Sequence, residues 1–370
     1  MEENQPKARV LAYYLPQFHP IPENDEWWGK GFTEWTNVGK AKPLFPGHYQ
    51  PHVPADLGYY DLRVPETRQA QADMARQYGI EGFVYWHYWF GNGKRLLERP
   101  FNEVLESGRP DFPFALAWAN ETWAGFAFGA DNHRPPLIEQ TYPGENDFVA
   151  HFNTVLPAFK DKRYIQCEGK PIFIIYKPDQ LPNAQGFIKL WRKLAVENGL
   201  KGIYFIAHSQ NKYTDDEVML ARDKRRKEGY DAVNIVNYMY RSTRDLPLWL
   251  HIIRSLLHKN KKLRLLPNLQ PYDISVFSTS FDSEENVFPT VFPNWDHTPR
   301  TGYGGSVLYN STPAKFEEAV RNAYESVKSK SMDKRFIFVK SWNEWAEGNY
   351  LEPDLKFGTR YLDAIANVIK

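Results

Sequence analysis

Short runs of consecutive hydrophobic residues recur along the chain, and a stretch with helical character follows each of them. The runs are rich in β-branched and aromatic residues and lack clean polar alternation, which is typical of strands buried on both faces of a parallel sheet. Eight strands are predicted: Val10–Leu15, Gly82–Tyr88, Phe112–Trp118, Pro171–Tyr176, Gly202–Ala207, Ala232–Asn237, Asn286–Phe292 and Arg335–Val339.

The helix-like segments follow the strands in a regular order, and glycines just beyond two of them act as stop signals. The predicted helices are Pro65–Tyr78, Leu96–Ser107, Glu145–Phe159, Ala184–Asn198, Thr214–Lys227, Leu246–His258, Pro313–Ser329 and Thr359–Ile369. Eight strand-then-helix units predict an α/β fold of the (β/α)8 TIM barrel type. A doubly wound open sheet is the alternative, but it usually has a glycine-rich turn after its first strand, where this chain has Pro16–Pro20.

One loop is much longer than the others. Residues Pro16–Arg63, after the first strand, contain several tryptophans and histidines, and long loops in compact domains are usually functional or disordered. Because the aromatic content argues against disorder, we predict an ordered lid over one end of the barrel. No change of composition marks a second domain, so residues 1–370 are predicted to form a single catalytic barrel.

Composition narrows the choice of partners. The chain is 42% hydrophobic and 25% charged with a formal net charge of +1, so it is an ordinary globular sequence without a general attraction to nucleic acid. The single cysteine, Cys167, permits no internal disulfide. The polar N-terminus is unlike a signal peptide and no apolar run approaches about 20 residues, which favours a cytoplasmic protein without membrane insertion, although a processed secreted form fits equally.

The strand ends carry the candidate chemistry, because the active site of a (β/α)8 barrel lies at the C-terminal ends of its strands. Polar or aromatic residues follow nearly every strand. Their number at one end of the barrel indicates a binding site, whereas any single one could simply cap the barrel. The candidate substrate-binding residues are Tyr14, His19, Trp86, His87, Trp118, Asn120, Glu121, His208, Tyr238, Trp295, Asp296, His297, Trp342, Asn343 and Trp345, with Trp35 from the lid.

Glu344 and Glu347 are the candidate catalytic pair, because paired carboxylates are what cleavage of a glycosidic bond requires. Positions three apart on a strand point to opposite faces, so the two can share a site only if the chain turns at Trp345-Ala346, which Gly348 would permit. Separations of about 5–5.5 Å and about 6.5–9.5 Å would indicate retaining and inverting chemistry respectively, and the sequence leaves this open.

Two alternatives concern the same carboxylates. Glu347 could pair with a neighbour and leave Glu344 alone in the site. Glu121, which ends the third strand, could replace Glu347 as the acid, bind sugar hydroxyls or only orient a loop.

Other kinds of site have weaker support. The histidines at the strand ends lack the spacing of a zinc cluster, so no metal or other cofactor is predicted. No Gly-x-Ser-x-Gly motif is present for an acyl-transfer serine. Of two basic runs, residues 222–227 fit the solvated end of a helix, whereas residues 258–264 could contact an anionic glycan, a phosphate group or a membrane surface.

Several long motifs resemble the WbsX-type family, whose members occur in bacterial surface-polysaccharide loci and are regarded as glycosyltransferases. The motifs are Leu11–Pro20, Gly31–Trp35, Tyr85–Phe90, Trp118–Glu121, Asn294–Arg300 and Trp342–Gly348. The last of them is also similar to glycoside hydrolase family 99, the endo-α-1,2-mannosidases and mannanases. That similarity implies a (β/α)8 barrel in which Glu344 is the base at the sugar 2-hydroxyl and Glu347 the general acid/base; Ala346 stands where those hydrolases commonly have histidine.

These observations together predict a carbohydrate-active enzyme that acts on an oligosaccharide or polysaccharide. The leading expectation is retaining, glycoside hydrolase-like cleavage of an α-linked glycan. The carboxyl that works as the acid at neutral pH needs a raised pKa, which its carboxylate neighbour and apolar tryptophans could provide. A glycosyltransferase of O-antigen or capsule biosynthesis is the first alternative, and a non-catalytic glycan-binding barrel is the second.

Overall fold

The structure is a computed structural model that describes residues 6–123, 136–212, 214–237, 266–277 and 280–370. Its centre is a set of eight parallel strands at the predicted positions, whose residues are almost all buried. The strands are β1 (Arg9–Tyr14), β2 (Gly82–His87), β3 (Phe114–Trp118), β4 (Lys170–Ile175), β5 (Tyr204–Gln210), β6 (Ala232–Val236), β7 (Val287–Val291) and β8 (Phe336–Val339).

The strands close into a barrel. Each pairs in parallel with the next along the chain, and β8 returns to β1 with Arg9 opposite Phe336 and Ala12 opposite Val339. Closure confirms the (β/α)8 prediction and excludes the open sheet, which would leave two edge strands. Within the described residues, three short strand pairings lie outside the barrel. They are Gln166–Cys167 with β4, Asn268–Pro271 with Ser306–Tyr309, and Asn343–Glu344 with Asn349–Tyr350.

Helices surround the strands and confirm seven of the predicted segments to within a few residues. The helices are α1 (Pro22–Trp28), α2 (Glu34–Lys40), α3 (Pro65–Gln77), α4 (Arg99–Ser107), α5 (Glu145–Phe159), α6 (Ala184–Glu197), α7 (Asp215–Lys227), α8 (Thr298–Thr301), α9 (Pro313–Val327) and α10 (Arg360–Ile369). The predicted helix Leu246–His258 and the basic run at residues 258–264 lie outside the described residues.

Local sequence explains the clearest helix starts. Thr214 and Glu217 form a capping box at α7, and the Thr312 hydroxyl accepts a hydrogen bond from Lys315 N at the start of α9. The basic run 222–227 forms the end of α7, as predicted. Among the described helices, none has the length and apolar character needed to cross a bilayer.

The long segment after β1 is ordered and contains helices α1 and α2. Within the segment, Trp35 Nε1 donates a hydrogen bond of 2.7 Å to Tyr60 O. His48 connects the segment to the rest of the barrel, because its Nε2 lies 2.7 Å from Asp296 Oδ2. We call residues 16–63 the lid, because side chains from α1 and α2 form one wall of the cavity described next.

Candidate active site

A cavity of about 320 Å³ opens at the C-terminal ends of the strands, where barrel active sites lie. The lid contributes Gln17, Trp28, Phe32, Glu34, Thr36, Asn37 and Lys40 to its wall. The strand ends and the loops after them contribute Trp86, Tyr88, Glu121, Trp123, Tyr176, Arg300, Lys340, Glu344 and Glu347, among others. The cavity therefore combines flat aromatic faces with carboxylates and cations, a composition suited to a polar ligand with apolar ring faces.

Glu344 and Glu347 reach this cavity together because the chain turns between them. Residues Trp345–Glu347 form one 3-10 turn, and Gly348 follows it with φ 59°, in the left-handed region. A Cβ at Gly348 would also lie 2.7 Å from Asp296 Cβ, so glycine is required there for space as well as for conformation. The predicted turn at Trp345-Ala346 is confirmed.

Glu344 is held from two sides. Its backbone N–H donates to Ser341 Oγ at 3.0 Å, and its Oε1 accepts a hydrogen bond of 2.9 Å from Trp86 Nε1. Burial, followed by the neighbouring charge of Glu347, raises the pKa of Glu344 to about 7, while Lys340 and Arg300 act in the opposite direction. The raised pKa was expected on the carboxyl that acts as the acid, which the resemblance makes Glu347, whereas here it belongs to Glu344.

Glu347 lies among positive charges. The Arg300 guanidinium donates from Nη1 to Glu347 Oε1, and Lys340 Nζ lies 3.9 Å from Oε2. His297 Nε2 is 4.0 Å from Oε1, but burial lowers the pKa of His297 to about 4, so it is neutral at pH 7.

Arg300 joins the lid to the catalytic turn. Its Nε and Nη2 each lie 3.2 Å from Glu34 Oε2 at the start of α2, while Nη1 contacts Glu347. Burial opposes the charge of Arg300, but Glu34, Glu347 and Glu344 outweigh it and raise its pKa, so the group is a permanent cation. Helix α8 presents it, and the first turn of α8 is fixed by Asp296, whose Oδ1 accepts from Thr298 N and Oγ1.

The third carboxylate, Glu121, lines the same cavity. Lys177 Nζ lies 3.7 Å from Glu121 Oε2, and burial raises the pKa of Glu121 although this cation acts in the opposite direction. Aromatic side chains flank these groups: Trp123 packs edge-on against Tyr88 with ring centroids 5.1 Å apart, and Trp86 packs edge-on against Tyr176 at 5.2 Å.

Many of the predicted substrate-binding residues lie behind the wall rather than on it. Asn120 is fully buried and its amide bridges Lys177 N and O, and Asn343 does the same for Leu15 N and O. The carboxylate of Asp296 accepts hydrogen bonds from His48, Gln50 and Thr298, so its hydrogen-bonding capacity is used by groups of the protein. These three residues are placed to support the site, because the backbone and lid groups they bind would otherwise be unsatisfied.

The buried aromatic and histidine candidates have similar positions. His87 Nε2 lies 2.8 Å from His151 Nε2, and Trp118 Nε1 donates to Trp89 O. Others outside the lining are Tyr14, which donates to Gln71, His19, which contacts Pro16 O, and Trp35, Trp295, His297, Trp342 and Trp345. Of the predicted set, Trp86, Glu121, Glu344 and Glu347 line the cavity, and Tyr238 lies outside the described residues.

His208 lines a second cavity of about 440 Å³ that shares Tyr176 with the first. Its basic residues are largely neutralised: Lys224 and Arg225 both contact Asp179, and Lys177 faces Glu121. In the described residues, no group of three or more His, Cys, Asp or Glu side chains is arranged to hold a metal ion.

Several cavity residues lie outside the predicted set of site residues. Arg300 ends the motif Asn294–Arg300 and Lys340 directly follows β8, so both carried a positional signal that a strand-end survey could have used. Phe32 and Glu34 lie in the motif Gly31–Trp35, which carried the same kind of signal. Trp28 and Lys40 had no signal beyond their place in or beside a long aromatic loop, because their approach to the barrel depends on how the lid folds.

Comparison with known proteins is consistent with this arrangement. Among solved structures, a protein described as "Glycoside hydrolase-like protein" superposes with a TM-score of 0.64 at 14% identity, covering 100% of this chain and 96% of its own. A GH99 endo-alpha-mannosidase from Bacteroides thetaiotaomicron superposes with a TM-score of 0.56 at 15% identity, covering 97% and 96%. At these identities the likeness shows the fold.

Sequence comparison is more specific. WxcX proteins from two strains of Xanthomonas campestris pv. campestris are each 34% identical to this chain, over 366 and 364 residues. The matches cover 96% of this chain but 49% of each relative, so the chain spans about half their length. The family model described as "Glycosyltransferase WbsX" matches residues 10–365, and the chain therefore belongs to the WbsX glycosyltransferase family, a carbohydrate-acting family, here with a GH99-like barrel.

Proposed function

We propose that this protein cleaves or transfers an α-linked glycosyl unit with retention, using Glu344 and Glu347. The observation that carries the proposal is the 3-10 turn after β8, which brings both carboxyls to one aromatic-lined cavity. The carboxyl pair, the family and the GH99-like fold all support a glycan as the substrate.

The chemistry proceeds in two balanced steps. In the first, ionised Glu344 takes the proton of the sugar 2-hydroxyl, O2 attacks the anomeric carbon, and the bond to the leaving oxygen breaks as Glu347 donates a proton to it. In the second, ionised Glu347 takes a proton from water or from an acceptor hydroxyl, whose oxygen attacks the anomeric carbon. The bond between that carbon and O2 breaks as Glu344 returns its proton to O2. Two inversions give net retention.

The surroundings of Glu344 suit the role of base. A base works best when its pKa is close to the working pH, and the pKa of Glu344 is raised to about 7. The indole N–H of Trp86 donates to Glu344 Oε1 and steadies the ionised form. Glu347 needs a proton before it can act as an acid, while the Arg300 guanidinium donates a hydrogen bond to its Oε1.

Transfer to an acceptor sugar is the second candidate, and the description of the family as glycosyltransferases favours it. The same two carboxyls serve both reactions, since only the group that opens the intermediate differs. The choice depends on whether water or a sugar hydroxyl occupies the cavity beside Glu347 in the second step.

The test is an assay against α-1,2-linked mannose oligosaccharides and bacterial surface polysaccharides, with the anomers of the first product followed by NMR. Glu344→Gln and Glu347→Gln are each expected to lower kcat/KM by roughly 10²–10⁴-fold, the usual contribution of a general acid or base. The bond between O2 and the anomeric carbon in the first step gives a 1,2-anhydro intermediate. Substrates that lack the 2-hydroxyl cannot form it and should not be turned over.

The matched control is Glu197→Gln, since the Glu197 side chain is 53% exposed on α6 and should leave activity unchanged. Full activity in both Glu344→Gln and Glu347→Gln would exclude the pair as catalysts, and an inverted first product would exclude the two-step route. Adding nucleotide sugars and acceptor glycans to the same assay distinguishes transfer from hydrolysis.

A further inference from the structure

The two carboxyls have different neighbours, and these neighbours affect which carboxyl carries a proton. The reaction proposed above needs a proton on Glu347 and none on Glu344, whereas the arrangement around the pair favours the reverse. Arg300 contacts Glu347 Oε1, while Glu344 accepts its hydrogen bond from the neutral indole of Trp86. A cation beside one member of a carboxyl pair favours ionisation of that member, so a single shared proton resides on the other.

We propose that Arg300 is a positioning residue that confines the shared proton of the pair to Glu344, and that Glu34 of the lid weakens this confinement by sharing the same guanidinium. The inference rests on the proposed function for its catalytic meaning, but the proton distribution is a property of the protein alone. While Arg300 contacts Glu347, the pair therefore lacks the protonation that the first step requires, and the contact must break before that step begins.

The geometry of Arg300 carries the argument. The guanidinium has Glu34 on one edge at 3.2 Å and Glu347 on another, so the same cation neutralises a lid carboxylate and a catalytic carboxylate. Planar guanidinium groups hold two carboxylates in fixed directions, which an ammonium group does not do. Because α2 begins at Glu34, displacement of that helix would remove one of the two anions that hold Arg300 in place.

Other charged groups face the pair and are shared by both members. Lys340 follows β8, with Nζ 3.9 Å from Glu347 Oε2, and it also lowers the pKa of Glu344. Glu121 at the end of β3 and Lys40 from α2 line the same cavity. Tyr88 and His297 are neutral at pH 7, because burial raises the pKa of the first and lowers that of the second. Of the two cations that pair with Glu347, Arg300 lies nearer and donates a hydrogen bond to it, so its removal should change the proton distribution.

A glycan entering the cavity has hydroxyl groups that can bind Arg300 and replace its contact with Glu347. Release of Glu347 from the guanidinium would raise its proton affinity, and the shared proton could then move from Glu344 to Glu347 without a change in total charge. The pair would acquire its working state only when the cavity holds a ligand, which limits unproductive proton transfer in the empty enzyme.

The test measures protonation directly and needs no substrate. Protein labelled with carbon-13 at the glutamate side-chain carboxyls is titrated by NMR, and Glu344→Gln and Glu347→Gln assign the two signals. In the wild type, the step near pH 7 should appear mainly in the Glu344 signal. In Arg300→Met, the step should move up by roughly one pH unit or more and appear in both signals, because the cation that favoured ionised Glu347 is gone.

Glu34→Gln gives a change of opposite sign. It removes a negative charge beside Arg300 and leaves the guanidinium to Glu347, so the step should move down by roughly half a unit or more and remain in the Glu344 signal. Arg300→Lys should restore part of the wild-type distribution through charge alone. It also keeps the test open if Arg300→Met fails to fold, as does Glu34→Gln.

An Arg300→Met titration that is unchanged in midpoint and still confined to Glu344 would overturn the inference. So would shifts of the same sign in Arg300→Met and Glu34→Gln, since a merely structural disturbance has no reason to respect the sign of the charge removed. Neither outcome depends on turnover. If the proton distribution behaves as expected but no glycan is processed, the proposed reaction fails while the role of Arg300 in the pair stands.

Discussion

Glu344 and Glu352 lie in the same loop after β8, are both buried, and both have a pKa raised to about 7, but their surroundings differ. Glu344 lines the cavity beside a second carboxylate and close to two cations. Glu352 does not line it and receives hydrogen bonds from Trp345 Nε1 at 2.6 Å, Gln71 Nε2 at 2.7 Å and Tyr60 OH at 2.9 Å.

The pKa of Glu352 is raised by burial alone, since those donors lower it and no carboxylate neighbour contributes among its principal causes. A raised pKa is therefore not a sufficient mark of a catalytic residue. What separates the two glutamates is access to the cavity and a partner with which to exchange a proton. Glu352 instead connects the catalytic turn, through Trp345, to the lid, through Tyr60.

The largest expected effect follows from removing the supporting glutamate. Glu352→Ala leaves the donors of Trp345, Gln71 and Tyr60 without an acceptor and opens a void, so the free energy of unfolding should fall by roughly 3–5 kcal/mol. Glu344→Ala should change it by less than about 1 kcal/mol, because Trp86 Nε1 then faces a cavity that water can enter. Urea unfolding of both variants at pH 6 measures the difference, and equal losses would show that the two positions are not distinct.

The barrel itself was largely predictable from the sequence. Strands such as β4 and β7 are buried on both faces and therefore appear as unbroken hydrophobic runs, and Gly348 marked the turn that Glu344 and Glu347 needed. These features depend on neighbouring residues in the chain, which is why a pattern along the sequence can reveal them.

The contacts around the turn were less predictable. Asn120 and Asn343 are polar and follow strands, which predicts substrate contact, yet each binds the backbone of another loop. A sequence does not show which side of the barrel wall an amide faces. Arg300 meets Glu34 and Glu347 only after the lid and α8 have docked, so its role depends on long-range folding that local patterns do not encode.

A smaller effect should appear in the pH dependence of stability. The pKa of Glu352 is about 7 in the folded protein and about 4.3 when unfolded, so its contribution to stability is present in acid and is lost as the pH rises to 7. Relative to Glu352→Gln, which cannot ionise, the wild type should lose roughly 2–3 kcal/mol of unfolding free energy between pH 5 and pH 8. Urea unfolding of both proteins across this range measures the loss.

Glu344→Gln is the comparison variant in that experiment. The pKa of Glu344 is also raised, so its loss of stability has the same sign, but Lys340 and Arg300 offset part of the cost of its charge. A pH dependence that is the same in the wild type and in Glu352→Gln would mean that Glu352 keeps its charge in the folded protein.

The smallest effect comes from the two indoles, because Trp86 Nε1 donates to Glu344 and Trp345 Nε1 donates to Glu352. A hydrogen bond to a carboxylate stabilises its charged form, so Trp86→Phe should raise the pKa of Glu344 by about one unit and leave that of Glu352 unchanged. Trp345→Phe should raise the pKa of Glu352 and leave that of Glu344 unchanged. Carboxyl carbon-13 titrations of both variants measure the two shifts, and a change in Glu344 from Trp345→Phe as large as that from Trp86→Phe would mean that the turn has moved and the two glutamates respond as one unit.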